Sequence, residues 1–262
     1  MFPLAEINAP ANWCTVDFIS DVHLNASEPA TFKIWQHYLQ NTPANAVFIL
    51  GDLFEVWVGD DVVAAVVKDE KPNFETRCAE IMRIATQRLS LFFMHGNRDF
   101  LVGDSLMTHC QARLLRDPCT LVFGDQRWLL SHGDALCLDD MPYQQFRRMV
   151  RSASWQIDFL ALPLAERQAA ARRMRQQSEA TKRTATNFAD ADAALSRQWL
   201  QESNAHTLIH GHTHQPADHV LGEAQNRVVL SDWDASATPT RAQVLRLTAD
   251  GLQRVELMPT EG

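Results

Sequence analysis

Short apolar runs along this chain end again and again in small clusters of polar residues. The runs are VDFIS, AVFIL, LSLFFM, RWLLS and HTLI, and the clusters that follow them are DVH, GD, HGNRD, HGD and HGHTH. Apolar runs of four to eight residues that are bounded by turn signals are typical of buried β-strands. The pattern therefore predicts five strands, each followed by polar side chains at its carboxyl end.

Helical periodicity separates several of these runs. Apolar residues recur at intervals of three and four in residues 30–40 and 73–89, which predicts amphipathic helices there, and a final pair of strands is predicted within residues 241–258. Alternating strands and helices, together with such a pair, predict a layered α/β or α+β domain. Ligand sites of open α/β sheets generally lie beyond the carboxyl ends of the strands, where the polar clusters stand.

The pattern changes between residues 143 and 201, where strand signals stop and glycine becomes rare. This segment predicts a helical insertion within a core formed by residues 1–142 and 202–262. Between residues 147 and 183 it carries nine lysines or arginines against three acids. Two interpretations fit: a pair of solvated amphipathic helices, or a lid over a ligand that has both acyl chains and phosphates.

Composition and charge narrow the class of protein. The chain has 262 residues, 46% hydrophobic and 21% charged, and a formal net charge of -8, which provides no overall attraction for nucleic acid. Five cysteines without CxxC spacing favour reduced thiols in a cytosolic protein. Because we find neither a signal-peptide pattern nor about 18 consecutive apolar residues, we expect a soluble protein, or one peripheral to a membrane.

The polar clusters together contain two or three carboxylates, an amide and four imidazoles. Any one of these residues is more often a helix cap or a turn residue than a ligand. As a set at strand ends that converge on one edge of a sheet, they suit two divalent metal ions. Mixed oxygen and nitrogen ligation favours Mn, Fe, Zn or Co, and one carboxylate can bridge two ions about 3.5–4 Å apart.

The order DxH, GD, GN, H, GHxH from Asp21 to His214 resembles the calcineurin-like metallophosphoesterase superfamily. The resemblance implies a four-layered α/β/β/α sandwich around two sheets. It also implies two metal ions. The first would be held by Asp21, His23 and His214, the second by Asn97, His132 and His212, and Asp52 would bridge them.

Longer segments, GDLFEVWVGDD, HGNRDFLVG, HGDALCLDD and IHGHTHQP, resemble the branch of that superfamily that acts in lipid A synthesis. The resemblance extends into the helical insertion, which it identifies as a lid. It implies Mn-dependent hydrolysis of the pyrophosphate bond of a UDP-linked diacylated glucosamine, at the cytoplasmic face of the inner membrane. Two alternatives are another metallophosphoesterase, such as a nucleotide pyrophosphatase or a cyclic-nucleotide phosphodiesterase, and an inactive binding scaffold.

Arg98 stands where many members of the superfamily have a histidine near the leaving group. Arginine cannot act as a general acid near neutral pH. A pyrophosphate expels a phosphate monoester, a weak base that needs little protonation, whereas a phosphodiester expels an alkoxide that benefits from it. We therefore predict that attack occurs at the α-phosphorus and that Arg98 stabilises charge on the transferring phosphoryl group.

The same resemblance implies a set of substrate-binding residues. They are Asn97, Arg98, Asp140, Ser178, Lys182 and His212. The match between this sequence and the family is looser after Ser178. Each metal-binding imidazole needs an acceptor for its second nitrogen, and the candidates are Asp99, Asp134 and backbone carbonyls. His210 has no counterpart among the implied ligands, and we predict a packing or supporting role for it.

Overall fold

A computed structural model of the chain describes residues 4–64, 71–184 and 190–258, with backbone alone for residues 64 and 176–184. Within these ranges the strands are β1 (Ala5–Asn8), β2 (Val16–Ile19), β3 (Ala46–Leu50), β4 (Ser90–Met94), β5 (Arg113–Leu115), β6 (Cys119–Phe123), β7 (Gln126–Leu130), β8 (Thr207–His210), β9 (Ala217–Gly222), β10 (Gln225–Val229), β11 (Gln243–Thr248) and β12 (Gly251–Glu256). The α-helices are α1 (Pro29–Asn41), α2 (Asp61–Ala64), α3 (Phe74–Ala85), α4 (Asp104–Cys110), α5 (Met141–Val150), α6 (Ala153–Leu160), α7 (Leu164–Thr184) and α8 (Ala193–Ser203).

The strands form two mixed six-stranded sheets. The first has the order β1-β6-β7-β8-β10-β9, and the second has the order β12-β11-β2-β3-β4-β5. The five predicted strands are confirmed as β2, β3, β4, β7 and β8, and the predicted last pair is the antiparallel hairpin β11–β12. The polar clusters therefore come from the ends of two sheets, and the expectation of one common sheet edge is wrong.

Apolar side chains from both sheets fill the space between them. Phe18 and Phe48 of the second sheet belong to the same buried cluster as Leu121, Leu130 and Ile209 of the first. Helices cover the two outer faces: α1, α3 and α4 lie against the second sheet, and α8 lies against the first. The fold is thus a layered α/β domain, as the sequence pattern predicts, and it is the four-layered α/β/β/α sandwich that the family resemblance implies.

The predicted amphipathic helices correspond closely to α1 and α3. Helix α1 begins at Pro29, where proline is favoured because a first-turn N–H needs no helical partner. Asn73 caps α3 by accepting a hydrogen bond from the backbone N–H of Thr76. Helix α3 ends at Ala85, four residues before the predicted limit, because residues 86–89 form the turn that leads into β4.

The described residues of the predicted insertion, 143–184 and 190–201, are mostly helical, as predicted. Helix α8 belongs to the outer layer of the core, because Leu200 packs in a buried cluster with Leu129 and Leu208 of the first sheet. Helices α5–α7 lie instead beside the polar clusters. The boundaries at residues 142 and 202 stay predictions. In the described part of the chain, no helix has the length and apolar character that spanning a bilayer requires.

Candidate metal centre

Five of the implied ligands have left-handed backbone conformations, with φ between 52° and 69°: Asp21, His23, Asp52, His212 and His214. Non-glycine residues seldom adopt this region, and it costs of order 1–3 kcal/mol for each residue. The tight loops after β2, β3 and β8 impose it and turn the side chains toward a common point. Strain of this kind clusters at functional sites.

One group of donor atoms comes from the loops after β2 and β8. The Nε2 atoms of His23 and His214 lie 3.3 Å apart, and His214 Nε2 lies 3.3 Å from Asp21 Oδ1. The other oxygen of Asp21 accepts hydrogen bonds from the Ser20 hydroxyl and from the backbone N–H of His212. Asp21 Oδ1 is buried and has no hydrogen-bond partner, so it is available for a cation.

A second group joins the two sheets. Asn97 Oδ1 lies 3.1 Å from His132 Nε2 and 2.8 Å from His212 Nδ1. His132 follows β7 of the first sheet, whereas Asn97 follows β4 of the second. One amide oxygen and two imidazoles thus converge from loops that are far apart in the chain.

Asp52 lies between the two groups. Its Oδ1 accepts a hydrogen bond of 2.8 Å from the backbone N–H of Arg98, and its Oδ2 lies 3.9 Å from His132 Nε2. Ligand atoms of Asp21, Asp52 and His132 all lie within 4.8 Å of one another. The structure therefore brings together all seven residues that the resemblance assigned to metal.

Close backbone approach explains two glycines in this centre. A Cβ atom on Gly96 would overlap Asp52 Oδ1, and one on Gly211 would overlap Asp21 Oδ2. Both carboxylates rest directly against glycine backbone, which leaves them no space to move away from the donor cluster.

The centre has a strongly negative potential. Burial disfavours a charged His132, but Asp52, Asp134 and Asp21 outweigh it and raise the pKa of this imidazole to about 9. Burial would raise the pKa of Asp21, yet His214, His132 and His23 hold it below its usual range. Burial and the nearby Asp52 raise the pKa of Asp99 to about 7. Such a potential favours a bound cation.

The second nitrogens of the histidines have partners that the sequence analysis only partly predicted. His132 Nδ1 donates to the carbonyl of Leu50 at 2.9 Å, and its Nε2 lies 3.1 Å from Asn97 Oδ1. His23 Nδ1 lies 3.2 Å from Glu55 Oε2, and His214 Nδ1 lies 3.8 Å from Asp232 Oδ2. The sequence analysis predicted that a backbone carbonyl would be one such partner, but it did not predict Glu55 or Asp232.

Asp99 and Asp134, the carboxylates proposed for that role, have other partners. Asp99 accepts backbone N–H groups of Gly96, Asp52, Leu53 and Phe54, and so ties the loop after β3 to the loop after β4. Asp134 accepts from the Tyr143 hydroxyl at 2.6 Å and from Arg147 Nε at 2.8 Å. The expectation that they orient the imidazoles is corrected, because buried carboxylates bind the nearest donors and those lie elsewhere.

The predicted substrate residues are spread around this centre. Arg98 reaches its edge, where Nη1 lies 3.5 Å from Glu55 Oε1. Asp140 is exposed and caps α5 through the backbone N–H of Tyr143. Ser178 and Lys182 belong to α7, but their side chains lie outside the described residues. Tyr143 was not predicted, and its ring stacks on His212 with centroids 5.7 Å apart.

His210 does not join the donor atoms. It is fully buried and its Nδ1 donates to the carbonyl of Gly211 at 2.8 Å. Burial lowers the pKa of this imidazole to about 4, so it is neutral near pH 7. These contacts agree with the predicted packing role.

The residues present fit divalent metal ions. The centre holds a buried carboxylate oxygen without a hydrogen-bond partner, and the Nε2 atoms of His23 and His214 face each other at 3.3 Å. Carboxylate, amide and imidazole donors together suit first-row transition metals.

A four-layered sandwich whose two sheets jointly present this donor set defines a metallophosphoesterase. The sequence model described as calcineurin-like phosphoesterase matches residues 14–216. The chain belongs to the calcineurin-like phosphoesterase family. Proteins of this family use divalent metal ions, in agreement with the donor set.

Several similar proteins are named UDP-2,3-diacylglucosamine hydrolase. The one from Aromatoleum aromaticum is 43% identical over 227 residues, which cover 84% of this chain and 89% of that protein. The one from Chromobacterium violaceum is 45% identical, with 83% of this chain and 90% of that protein covered. The one from Bordetella parapertussis is 39% identical, with 92% and 95% covered.

Proposed function

We propose that this protein hydrolyses the pyrophosphate bond of UDP-2,3-diacylglucosamine and releases UMP and 2,3-diacylglucosamine 1-phosphate, a step of lipid A synthesis. The observation that carries the proposal is the seven-residue donor cluster beside a helical insertion with both arginines and exposed apolar side chains. The names of the similar proteins support the same substrate.

Two divalent ions, most simply Mn²⁺, are the proposed cofactors. Asp21, His23 and His214 would hold one ion, Asn97, His132 and His212 would hold the other, and Asp52 would touch both. Bound ions would supply an activated water and positive charge beside the phosphates. The hydrogen bonds of Asp21 and Asp52 to backbone N–H groups leave one oxygen of each carboxylate directed into the centre.

Arg98 suits attack at the α-phosphorus of the UMP half. Its guanidinium carries a fixed charge, and its backbone N–H bonds to Asp52, so the arginine is tied to the centre of the donor cluster. The departing group is a phosphate monoester, which leaves without a proton donor. A cationic side chain that stabilises the transferring phosphoryl group is therefore more useful here than a general acid.

Helices α5–α7 are the proposed lid. Arg151, directly after α5, donates to the carbonyl of Gly96 at 2.9 Å, and the ring centroid of Trp155 in α6 lies 6.0 Å from that of Phe100. Arg175 of α7 lies 3.1 Å from Glu55. These contacts support a lid that covers the substrate beside the donor cluster and provides apolar surface for acyl chains.

We also propose that the protein binds peripherally to the cytoplasmic face of the inner membrane. Exposed apolar side chains of the insertion support this: Met149, Ile157, Leu160 and Leu162. Arg148 of α5 is an exposed basic neighbour suited to anionic lipid. Co-sedimentation with phosphatidylglycerol vesicles should fall for Ile157→Glu, while unchanged binding would contradict this surface.

A substrate panel tests the proposed reaction. With Mn²⁺, hydrolysis of UDP-2,3-diacylglucosamine should exceed that of UDP-glucose and cyclic AMP by orders of magnitude in kcat/KM, because acyl chains and two phosphates are both recognised. Hydrolysis in H₂¹⁸O should place the label in UMP. Comparable rates for all three compounds, or label in the lipid phosphate, would contradict the assignment.

A further inference from the structure

Glu55 is a nearly buried carboxylate beside the metal centre, with 12% of its side chain exposed. It lies beyond β3, where the backbone runs parallel to the segment after β2: Leu24 N–H donates to Leu53, and Glu55 N–H donates to Leu24. This pairing fixes Glu55 next to His23. A buried carboxylate needs positive or hydrogen-bonding partners to offset the loss of water.

One oxygen of Glu55 faces the metal centre. Oε2 lies 3.2 Å from His23 Nδ1, within ion-pair distance, and this buried nitrogen makes no hydrogen bond of regular geometry among the described residues. A proton on Nδ1 leaves the lone pair on Nε2, the nitrogen that faces His214 and the donor cluster. A carboxylate that accepts from the second nitrogen fixes the tautomer and the ring orientation of a metal-binding imidazole.

The other oxygen faces two arginines from different parts of the fold. Oε1 lies 3.5 Å from Arg98 Nη1, in the loop after β4, and 3.1 Å from Arg175 Nη1, in helix α7. Arg98 carries the charge that the proposed reaction uses. Arg175 belongs to the proposed lid. The two oxygens of one side chain therefore serve the metal centre and the arginines separately.

We propose that Glu55 is a positioning residue shared by the metal centre and the lid, which holds His23 in its metal-binding tautomer with one oxygen and holds Arg98 and Arg175 with the other. The role toward Arg98 rests on the proposed function, whereas the role toward His23 concerns metal binding alone.

Metal binding tests the first half of this role without any substrate. Metal-free protein is titrated with Mn²⁺, and free Mn²⁺ is followed by electron paramagnetic resonance. Replacement of a carboxylate that supports a metal-binding imidazole typically weakens metal affinity 10–100-fold. We expect a loss of that size at one of the sites for both Glu55→Gln, which keeps the side-chain shape, and Glu55→Ala.

Two controls separate this effect from general damage. Glu80→Gln removes a partly exposed carboxylate that pairs with Arg83 within helix α3, and it should bind Mn²⁺ like wild type. Arg175→Met removes the lid partner of Glu55 and should also keep its Mn²⁺ affinity. Mn²⁺ affinity within twofold of wild type for both Glu55 variants would overturn the proposal.

Steady-state kinetics at saturating Mn²⁺ test the second half. Glutamine has one acceptor oxygen and one NH₂ donor, so no orientation serves both His23 and the arginines. With metal restored, Glu55→Gln should still show a kcat at least tenfold lower, because Arg98 loses its carboxylate partner, while Glu80→Gln should not. Wild-type kcat for Glu55→Gln would overturn this part. Failure of wild type to hydrolyse the lipid substrate would refute the proposed function and leave the Mn²⁺ result standing.

Discussion

The three histidines of LIHGHTHQP have different surroundings, although they lie within five residues of one another. His214 Nε2 faces Asp21 and His23, and His212 Nδ1 faces Asn97. His210 points away and bonds to the carbonyl of Gly211. Residues at alternate positions would share one face of a strand, but β8 ends at His210 and the left-handed conformations of His212 and His214 redirect their side chains.

Alanine substitutions should separate these roles. His212→Ala and His214→Ala should each lower the number of bound Mn²⁺ ions, because each removes a donor atom. His210→Ala should keep the metal content and lose stability by about 1–3 kcal/mol, since it leaves a cavity at a fully buried position. Elemental analysis and thermal unfolding of the purified variants provide the check, and loss of metal from His210→Ala would contradict the assignment.

Gly96→Ala should disable the centre through a single added methyl group. The new Cβ would overlap the Asp52 carboxylate, which is also held by the N–H of Arg98. A displacement of about 1 Å in such a centre costs roughly 100-fold in kcat. Gly222→Ala is the matched control, because a Cβ at Gly222 meets no atom within 4 Å. Equal kcat for the two variants would show that Asp52 can move freely.

At the scale of single residues, the sequence indicated the metal-binding residues but not the side chains that hold them in position. Asp21, His23 and Asn97 follow recognisable strand patterns, so their placement could be predicted. Glu55 could not be assigned a partner, because the residues that it contacts come from three separate segments. A signal was present in LFEVW, where one carboxylate stands among large apolar residues and must find a cation or a donor.

Helix α7 is joined to the core by a buried arginine near its start. Arg167 is 3% exposed, and it donates to the carbonyl of Val58 and to both oxygens of Asp61. Val58 follows Trp57, so this contact fixes the lid helix beside the loop after β3. An arginine pairs with a carboxylate through two parallel bonds, which gives orientation as well as attraction.

Arg167→Met should loosen the proposed lid without changing the metal centre. We expect KM for the diacylated substrate to rise roughly tenfold with little change in kcat, because a loosened lid weakens substrate binding more than the chemical step. Mn²⁺ affinity should stay at the wild-type value. Arg83→Met, which breaks an exposed pair on α3, is the control and should leave both constants unaltered. An unchanged KM in Arg167→Met would argue against a lid role for α7.

Strands and helices with a strong local sequence pattern were predicted. Those whose identity or place in the fold depends on contacts with distant residues were not. Strands β2, β3 and β4 are short runs of apolar residues, and α1 has clear helical spacing. Strand β1 has the burial pattern of a half-exposed edge, which its short sequence AEIN does not distinguish from a loop. Whether α8 belongs to the lid or to the core depends on Leu208 and Leu129, distant residues that local periodicity does not reveal.

At the scale of the whole molecule, the candidate metal centre lies where the ends of the two sheets meet. His132 and His212 follow strands of the first sheet, and Asp21, Asp52 and Asn97 follow strands of the second. Metal ions held by both sets would crosslink the sheets. Strand order could not be predicted, because β8 pairs with β7 across more than seventy intervening residues and with β10 on its other side.

Removal of metal should therefore lower the stability of the whole fold. Ions that bind only the native state at 100 times their Kd add about 2.7 kcal/mol, which corresponds to a rise in Tm of about 5–10 °C for a chain of this size. We expect chelation to lower Tm by that amount and added Mn²⁺ to restore it. Asp52→Ala should show a smaller response to Mn²⁺, and an identical response would place the stabilising ions elsewhere.

The most direct test of the account is release of UMP from UDP-2,3-diacylglucosamine by wild type, Asp52→Ala and Asp250→Ala, each with Mn²⁺ and after chelation. Asp250 is an exposed carboxylate in the turn between β11 and β12 and serves as the control. We predict Mn²⁺-dependent release by wild type and Asp250→Ala, and a rate at least 100-fold lower for Asp52→Ala. Release that persists in Asp52→Ala, or no release by Mn²⁺-loaded wild type, would contradict it.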